Sequence, residues 1–151
     1  MLTISKNLEF VPQRKTEDAV GYDCITSKDV KIPAGQVALV PLGFKTKGAC
    51  LLFGRSSLHK MGFMLANGVG VIDADYRGEV MAALYNFTDE DKWLPEKSRI
   101  VQLVPVGYAF ATGLESVNEM SHDTEAVSKL YDNWEKDNGS VRGVGWFGST
   151  N

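Results

Sequence analysis

Turn-forming residues interrupt this chain so often that little room is left for a helix before residue 115. Apolar, β-branched runs recur instead. "QVALVPLGFKT" opens after the turn "PAG" at 33–35, and "ACLLFG", "MLANGVGVID", "GEVMAALYNFT" and "RIVQLVPVGYAF" follow. Gly, Pro, Asp or Asn punctuates each run, the pattern of short strands joined by tight turns. Strand after short strand with almost no helical period argues for an antiparallel sandwich or barrel. No repeat or low-complexity tract breaks the pattern. A length of 151 residues fits one domain, 1–151, around one core.

One segment departs from this rule. "ESVNEMSHDTEAVSKLYDNWEKDNG" (115–139) sets Val127, Leu130, Tyr131 and Trp134 at i, i+3, i+4 and i+7, one apolar stripe of a helix. Ser121 or Asp123 is placed to cap its start, and Asn138-Gly139 to end it. Such a stripe usually packs on the protein's own surface, and that is the default reading; a partner-binding helix is the sharper one.

Composition narrows the function classes. A hydrophobic fraction of 44% and a charged fraction of 23% are ordinary for a soluble globular protein. A net charge of −3 carries no footprint of stable nucleic-acid binding. No apolar run approaches the roughly 20 residues of a membrane span, and "MLTISKNLEF" lacks the basic-then-apolar pattern expected of a signal peptide. Cys24 and Cys50 lie in apolar surroundings, which favours two buried thiols in a reducing cytoplasm over a disulfide. With His59 and His122 they do not make zinc-ligand spacing.

Five polar stretches interrupt the apolar pattern. In "AVGYDC" (19–24), Asp23 must be paired, hydrated or near a cation, unless it is simply a turn aspartate. "GRSSL" (54–58) gathers Arg55, Ser56 and Ser57 at a strand end, where a guanidinium fork and hydroxyls suit phosphate oxygens; the same letters also make a common loop. "NGVGVIDADYRGEV" (67–80) carries a turn at Asn67-Gly68 and a second at Asp73-Ala74-Asp75. Glycines at 68 and 70 let a flat ligand approach the backbone, and the plain alternative is a surface hairpin with solvated aspartates. Gln102 in "RIVQLVP" needs partners within an apolar strand, or else takes an edge or an outward-facing position. The closing "VRGVGWFGSTN" (141–151) lacks the lysine and helix of a phosphate loop, yet glycine amides with Arg142, Ser149 and Thr150 suit wrapping a polyphosphate.

Taken together and in this order, the five stretches resemble the ordered motifs of the trimeric deoxyuridine triphosphatase (dUTPase) family, over nearly the whole chain. The resemblance implies an all-β jelly-roll β-barrel (the dUTPase-like, or β-clip, fold) with a short helical insertion near 115–139. It implies a homotrimer with shared active sites: the first, second and fourth motifs from one subunit, the third from a neighbour, the fifth from the remaining subunit. The reaction would be dUTP plus water giving dUMP and pyrophosphate, with Mg²⁺ on the triphosphate. Such an enzyme keeps uracil out of DNA and supplies dUMP for dTMP synthesis, in the cytoplasm or, for a viral protein, the host cell's cytoplasm.

Residue by residue, the resemblance makes Asp73 the group that polarises the attacking water and bonds the 3′-hydroxyl. Gln102 would place waters or the α-phosphate, and Asp23 would hold Mg²⁺ through water. Arg55, Ser56 and Ser57 would bind phosphate oxygens. Asn67 and the backbone of Gly70, Val71 and Ile72 would read uracil with no space for a 5-methyl group. Tyr76 would press on the sugar and exclude a 2′-hydroxyl, and Met81 joins the substrate-binding set. Arg142 would meet the terminal phosphate, Phe147 would cover the uracil, and Gly148, Ser149 and Thr150 would close on the phosphates, making 141–151 a mobile lid. Trp146 and Asn151 depart from the family pattern, which keeps glycine at both places. A related fold, dCTP deaminase, carries a catalytic glutamate where this chain has Ala83, which cannot move a proton. The remaining alternative is a non-catalytic or moonlighting regulator that binds a protein partner through 115–139.

Overall fold

The computed structural model describes residues 1–107, 115–116 and 124–136. The strands are β1 (Leu2–Ile4), β2 (Tyr22–Ile25), β3 (Val30–Ile32), β4 (Val37–Lys47), β5 (Cys50–Gly54), β6 (Phe63–Leu65), β7 (Gly70–Ile72), β8 (Glu79–Asn86), β9 (Lys92–Leu94), β10 (Arg99–Pro105) and β11 (Glu115–Ser116). Among the described residues one α-helix, α1 (Thr124–Asp132), leads into a 3-10 turn at Trp134–Lys136. Among the described residues the strands form a five-stranded sheet, β11-β1-β4-β8-β6, a four-stranded sheet, β2-β10-β5-β7, and the ribbon β3-β9. Neighbours are antiparallel except β1 and β11. The described residues are therefore mostly β with one short helix, two sheets over a common core, in keeping with the jelly-roll fold that the sequence implies.

Alternation explains the layering. Val80, Ala82 and Leu84 of β8 and Val40, Leu42 and Phe44 of β4 point into the core, where they meet Cys24, Leu52, Ile72 and Leu103 of the other sheet. The β4–β8 register slips between Pro41 and Lys45. Gly43 sits in that bulge at φ +77, its amide donating to Glu79 Oε1 at 2.7 Å, with the Phe10 ring in the space a Cβ would need. The strands missed from sequence are β1, β2, β3, β9 and β11, each four residues or fewer, too short for alternation to show.

Within 115–139 the described residues are a strand pair, Glu115 and Ser116 lying parallel to Leu2 and Thr3 on the edge of β1, and the helix over Thr124–Asp132. The capping candidates Ser121, Asp123 and Asn138-Gly139 lie outside the described residues. Val127 and Trp134 pack against Ile4, and Trp134 Nε1 donates to the Thr46 carbonyl at 3.1 Å. Lys45 Nζ donates to the Tyr131 carbonyl at 2.8 Å and lies 4.1 Å from that ring's centroid. Leu130 falls off the stripe and is 43% exposed. The apolar face is thus used on the protein's own sheet.

Cys24 and Cys50 are both free and buried. Burial pushes the Cys24 thiol well up and the Cys50 thiol up to about 12. No helix among the described residues is long and apolar enough to cross a membrane.

Candidate active site

The first cluster lies across one end of the four-stranded sheet. Register places Gln102 of β10 between Asp23 of β2 and Phe53 of β5. Asp23 is therefore a strand residue, not a turn aspartate, with its side chain only 19% exposed. Its Oδ1 meets Arg55 Nε at 3.0 Å, and its Oδ2 lies 3.7 Å from Arg99 Nη1. Arg55 follows the last residue of β5 and is held there by its amide, which donates to the Ile100 carbonyl at 3.1 Å. Its Nη1 also reaches the Arg99 carbonyl at 3.4 Å. Ser56 is exposed, and Ser57 is half-buried at the head of the 3-10 turn Leu58–Met61.

Gln102 sits on an interior strand, so the edge-strand reading fails. Its Nε2 donates to the Gly54 carbonyl at 3.4 Å, and its Oε1 presses against Gly21, where any Cβ would collide with it. A cleft of about 160 Å³ opens beside Asp23, lined also by Gln13, Arg14, Lys15, Ile25 and Arg99. Arg99 is a member of this cluster that sequence reasoning passed over. Its only signal was its place at the start of "RIVQLVP".

The second cluster is the stretch from 63 to 80. Its first turn behaves as expected: Gly68 takes φ +70, its amide donates to Leu65 at 3.1 Å, and Val69 N donates to Asn67 O at 2.8 Å. The two arms, however, do not pair with each other. β6 pairs β8 and β7 pairs β5, each as the last strand of a different sheet. The turn thus bridges two sheet edges, with Asn67 exposed at its tip. One edge of Gly70–Ile72 is turned away from β5 and, among the described residues, pairs with no other strand, so it is able to present backbone donors and acceptors. Val71 is exposed, and Gly70 and Ile72 are buried.

The second turn is also present, with Tyr76 N donating to the Asp73 carbonyl at 3.1 Å. Tyr76 is buried in the chain's own core, and its hydroxyl donates to the Glu79 carbonyl at 2.8 Å. Met81 lies half-buried on β8 opposite Pro41.

β5 separates the two clusters. Ile72, and Asp73 after it, lie at the Cys50 end, whereas Arg55 follows Gly54 at the other end. At about 3.3 Å per residue, the strand sets those ends roughly 13 Å apart. One chain alone therefore does not bring Asp73 to Asp23, Arg55 and Gln102. Arg142, Trp146, Phe147, Gly148, Ser149, Thr150 and Asn151 lie outside the described residues.

Among the described residues no three His, Cys, Asp or Glu side chains gather as a metal-binding group. The donor set suits a different kind of metal contact. Asp23 is the carboxylate of this cluster and is already paired with two arginines, so what it offers a cation is an outer contact through water, with direct ligands left to substrate phosphates.

Comparison with known proteins assigns the family. The dUTPase family model matches residues 9–130, and the chain belongs to that family. It is 35% identical over 144 residues to the deoxyuridine 5′-triphosphate nucleotidohydrolase of Paramecium bursaria Chlorella virus 1, covering 92% of this chain and 88% of that protein. The protein of the same name from Lactococcus lactis subsp. lactis (strain IL1403) is 36% identical over 117 residues, covering 70% of this chain and 78% of its own. The crystal structure of the dUTPase from Streptococcus mutans superposes with a TM-score of 0.64 at 35% identity, covering 71% of this chain and 92% of that one.

Proposed function

We propose that this chain hydrolyses dUTP to dUMP and pyrophosphate through attack of water on the α-phosphorus, as a homotrimer whose active sites are shared between subunits. The observation that supports this best is the division of the site. Every described residue expected to act is present, but Asp73 and the Asp23–Arg55–Gln102 cluster stand at opposite ends of β5. A second copy supplying its 67–80 stretch would complete the set. Apolar sheet faces support that association. Val37, Tyr85 and Met64 form one cross-strand row, with Val37 and Met64 exposed.

Within the joined site, Asp73 accepts protons from the attacking water and bonds the 3′-hydroxyl, and Gln102 positions the water or the α-phosphate. Arg55, Ser56 and Ser57 bind phosphate oxygens, and Arg55 has Asp23 to hold its fork in place beforehand. Asp23 would hold Mg²⁺ through water; when bound, that ion offsets charge on the triphosphate. Asn67 and the free edge of Gly70, Val71 and Ile72 read the uracil, and Tyr76 and Met81 bound the sugar pocket. Residues 141–151 close as a lid, with Arg142 on the terminal phosphate, Phe147 over the base, and Gly148, Ser149 and Thr150 on phosphate oxygens. Little covalent chemistry is asked of the protein; positioning and charge stabilisation carry the rate. Residues 1–151 act as one domain in the cytoplasm, or the host cell's, limiting uracil in DNA and supplying dUMP.

The test is pyrophosphate release from dUTP, dCTP, dTTP and UTP, with and without Mg²⁺. Rapid Mg²⁺-dependent release from dUTP alone is expected, and no release from dUTP overturns the reading. The partner-binding alternative gains nothing from the helix, whose residues Val127 and Trp134 are already packed on Ile4.

A further inference from the structure

Arg77 is the bulkiest of the fully buried side chains among the described residues, at 2% exposure. Burying a guanidinium is costly unless hydrogen bonds compensate, so arginine beside a surface turn normally stays in water. Here Arg77 Nη1 donates to the Ala74 carbonyl at 2.7 Å and to the Tyr76 carbonyl at 3.1 Å. Those carbonyls lie on either side of Asp75, in the turn that begins at Asp73.

Other bonds tighten the same turn. Tyr76 N donates to Asp73 O at 3.1 Å, and Gly48 N donates to Ala74 O at 3.4 Å. The Tyr76 hydroxyl donates to Glu79 O at 2.8 Å, and a Cβ at Gly78 would collide with that hydroxyl. The carbonyls of Asp73, Ala74 and Tyr76 are therefore all held, two of them by one buried cation.

We propose that Arg77 is a positioning residue for Asp73: its guanidinium clamps the Ala74 and Tyr76 carbonyls and so fixes the backbone from which the Asp73 carboxylate projects. This rests on the role for Asp73 proposed above. Filling the space does not require a charge, since buried ions can often be replaced by apolar groups of similar volume at little cost in stability. What an apolar replacement loses is the grip on the two carbonyls. A displacement of about 1 Å at a reacting group costs on the order of 100-fold in rate.

The experiment compares wild type, Arg77→Met, Arg77→Lys, Asp73→Asn and the Asp73→Asn/Arg77→Met double variant in dUTP hydrolysis, well below each melting temperature. Expected results are a kcat roughly 100-fold down in Arg77→Met, partial recovery in Arg77→Lys, and KM within about threefold of wild type. The double variant should be no slower than Asp73→Asn alone, as for residues that act as one unit. Unchanged kcat in folded Arg77→Met, or losses that multiply in the double variant, overturn the proposal. If Arg77→Met does not fold by circular dichroism, Arg77→Lys and its own double with Asp73→Asn decide on the same criteria. An inactive wild type removes the functional reading and this inference together. An active wild type with normally active variants removes this inference alone.

Discussion

The two clusters hold their carboxylates in opposite ways. Asp23 is fixed through its side chain, by Arg55 at 3.0 Å and Arg99 at 3.7 Å, at an accessible strand end. Asp73 is set by its backbone, in a turn whose carbonyls are tied to Tyr76, Gly48 and Arg77. Ion pairs between partly exposed groups are exchangeable and sensitive to salt. Backbone bonds deep in a turn are not. A site that must release and regrip a triphosphate benefits from the first kind of support around the phosphates. It benefits from the second kind behind the group proposed to meet a water in one orientation.

The sharpest way to break this comparison is Asp73→Asn. The change keeps shape and removes the charge proposed to accept protons, so kcat should fall about 1,000-fold, within the range general-base removal commonly gives. The mass by light scattering and the melting temperature should match those of wild type. Substantial residual turnover would mean that the rigid turn serves recognition rather than chemistry.

Arg55→Ala should have the next largest effect, of a different kind. Losing a charge-assisted contact to phosphate predicts kcat/KM lower by roughly 10- to 100-fold, carried mostly in KM. Wild-type KM should rise with ionic strength more steeply than that of the variant, because the exchangeable contact is the screened one. Arg99→Ala, removing the longer and more exposed contact to Asp23, should cost far less. Equal effects from the two arginines would show that Asp23 needs both partners to order the cleft.

How much of this was readable beforehand follows the same division. Asp23, Arg55 and Gln102 stand out in sequence because each breaks an apolar run, and a polar residue in such a run must find partners. The turns at Asn67-Gly68 and Asp73-Ala74-Asp75 were legible because their chemistry is local. That the arms of 63–72 belong to different sheets was not legible, because sheet membership depends on long-range pairing. Neither was the burial of Arg77, which looks in sequence like any arginine beside a turn. The helix stripe was partly legible. Val127 and Trp134 do face the sheet, but Leu130 shares their spacing and stays exposed.

Trp134 provides a control outside both clusters. Trp134→Ala empties a buried aromatic site and removes the Nε1 bond to Thr46, so stability should fall by about 3–5 kcal/mol. Measured by denaturant unfolding, that loss should leave kcat at low temperature within about twofold, since the residue touches neither cluster. A large kcat loss in the folded variant would instead tie the helical segment to the site.

The smallest expected effect is a near-absence of reaction. Each region has a buried thiol beside it: Cys24 follows Asp23, and Cys50 pairs with Ile72 at the Asp73 end. Burial raises both thiols, Cys50 from 9.0 to about 12, so the folded state keeps its protons where an unfolded thiol loses them. Folded groups with raised pKa values stabilise fully below the unfolded value; for Cys50 that contribution should drain away between about pH 9 and 12. Native protein at pH 8 should resist alkylation by iodoacetamide at both positions and react fully once unfolded. Mass spectrometry of the labelled peptides separates the two sites. Faster labelling at Cys24 than at Cys50 would show that the ion-paired end opens locally more often than the clamped end. Equal rates would mean that both open only with the whole fold, and the contrast between the two supports would then be one of side-chain exchange alone.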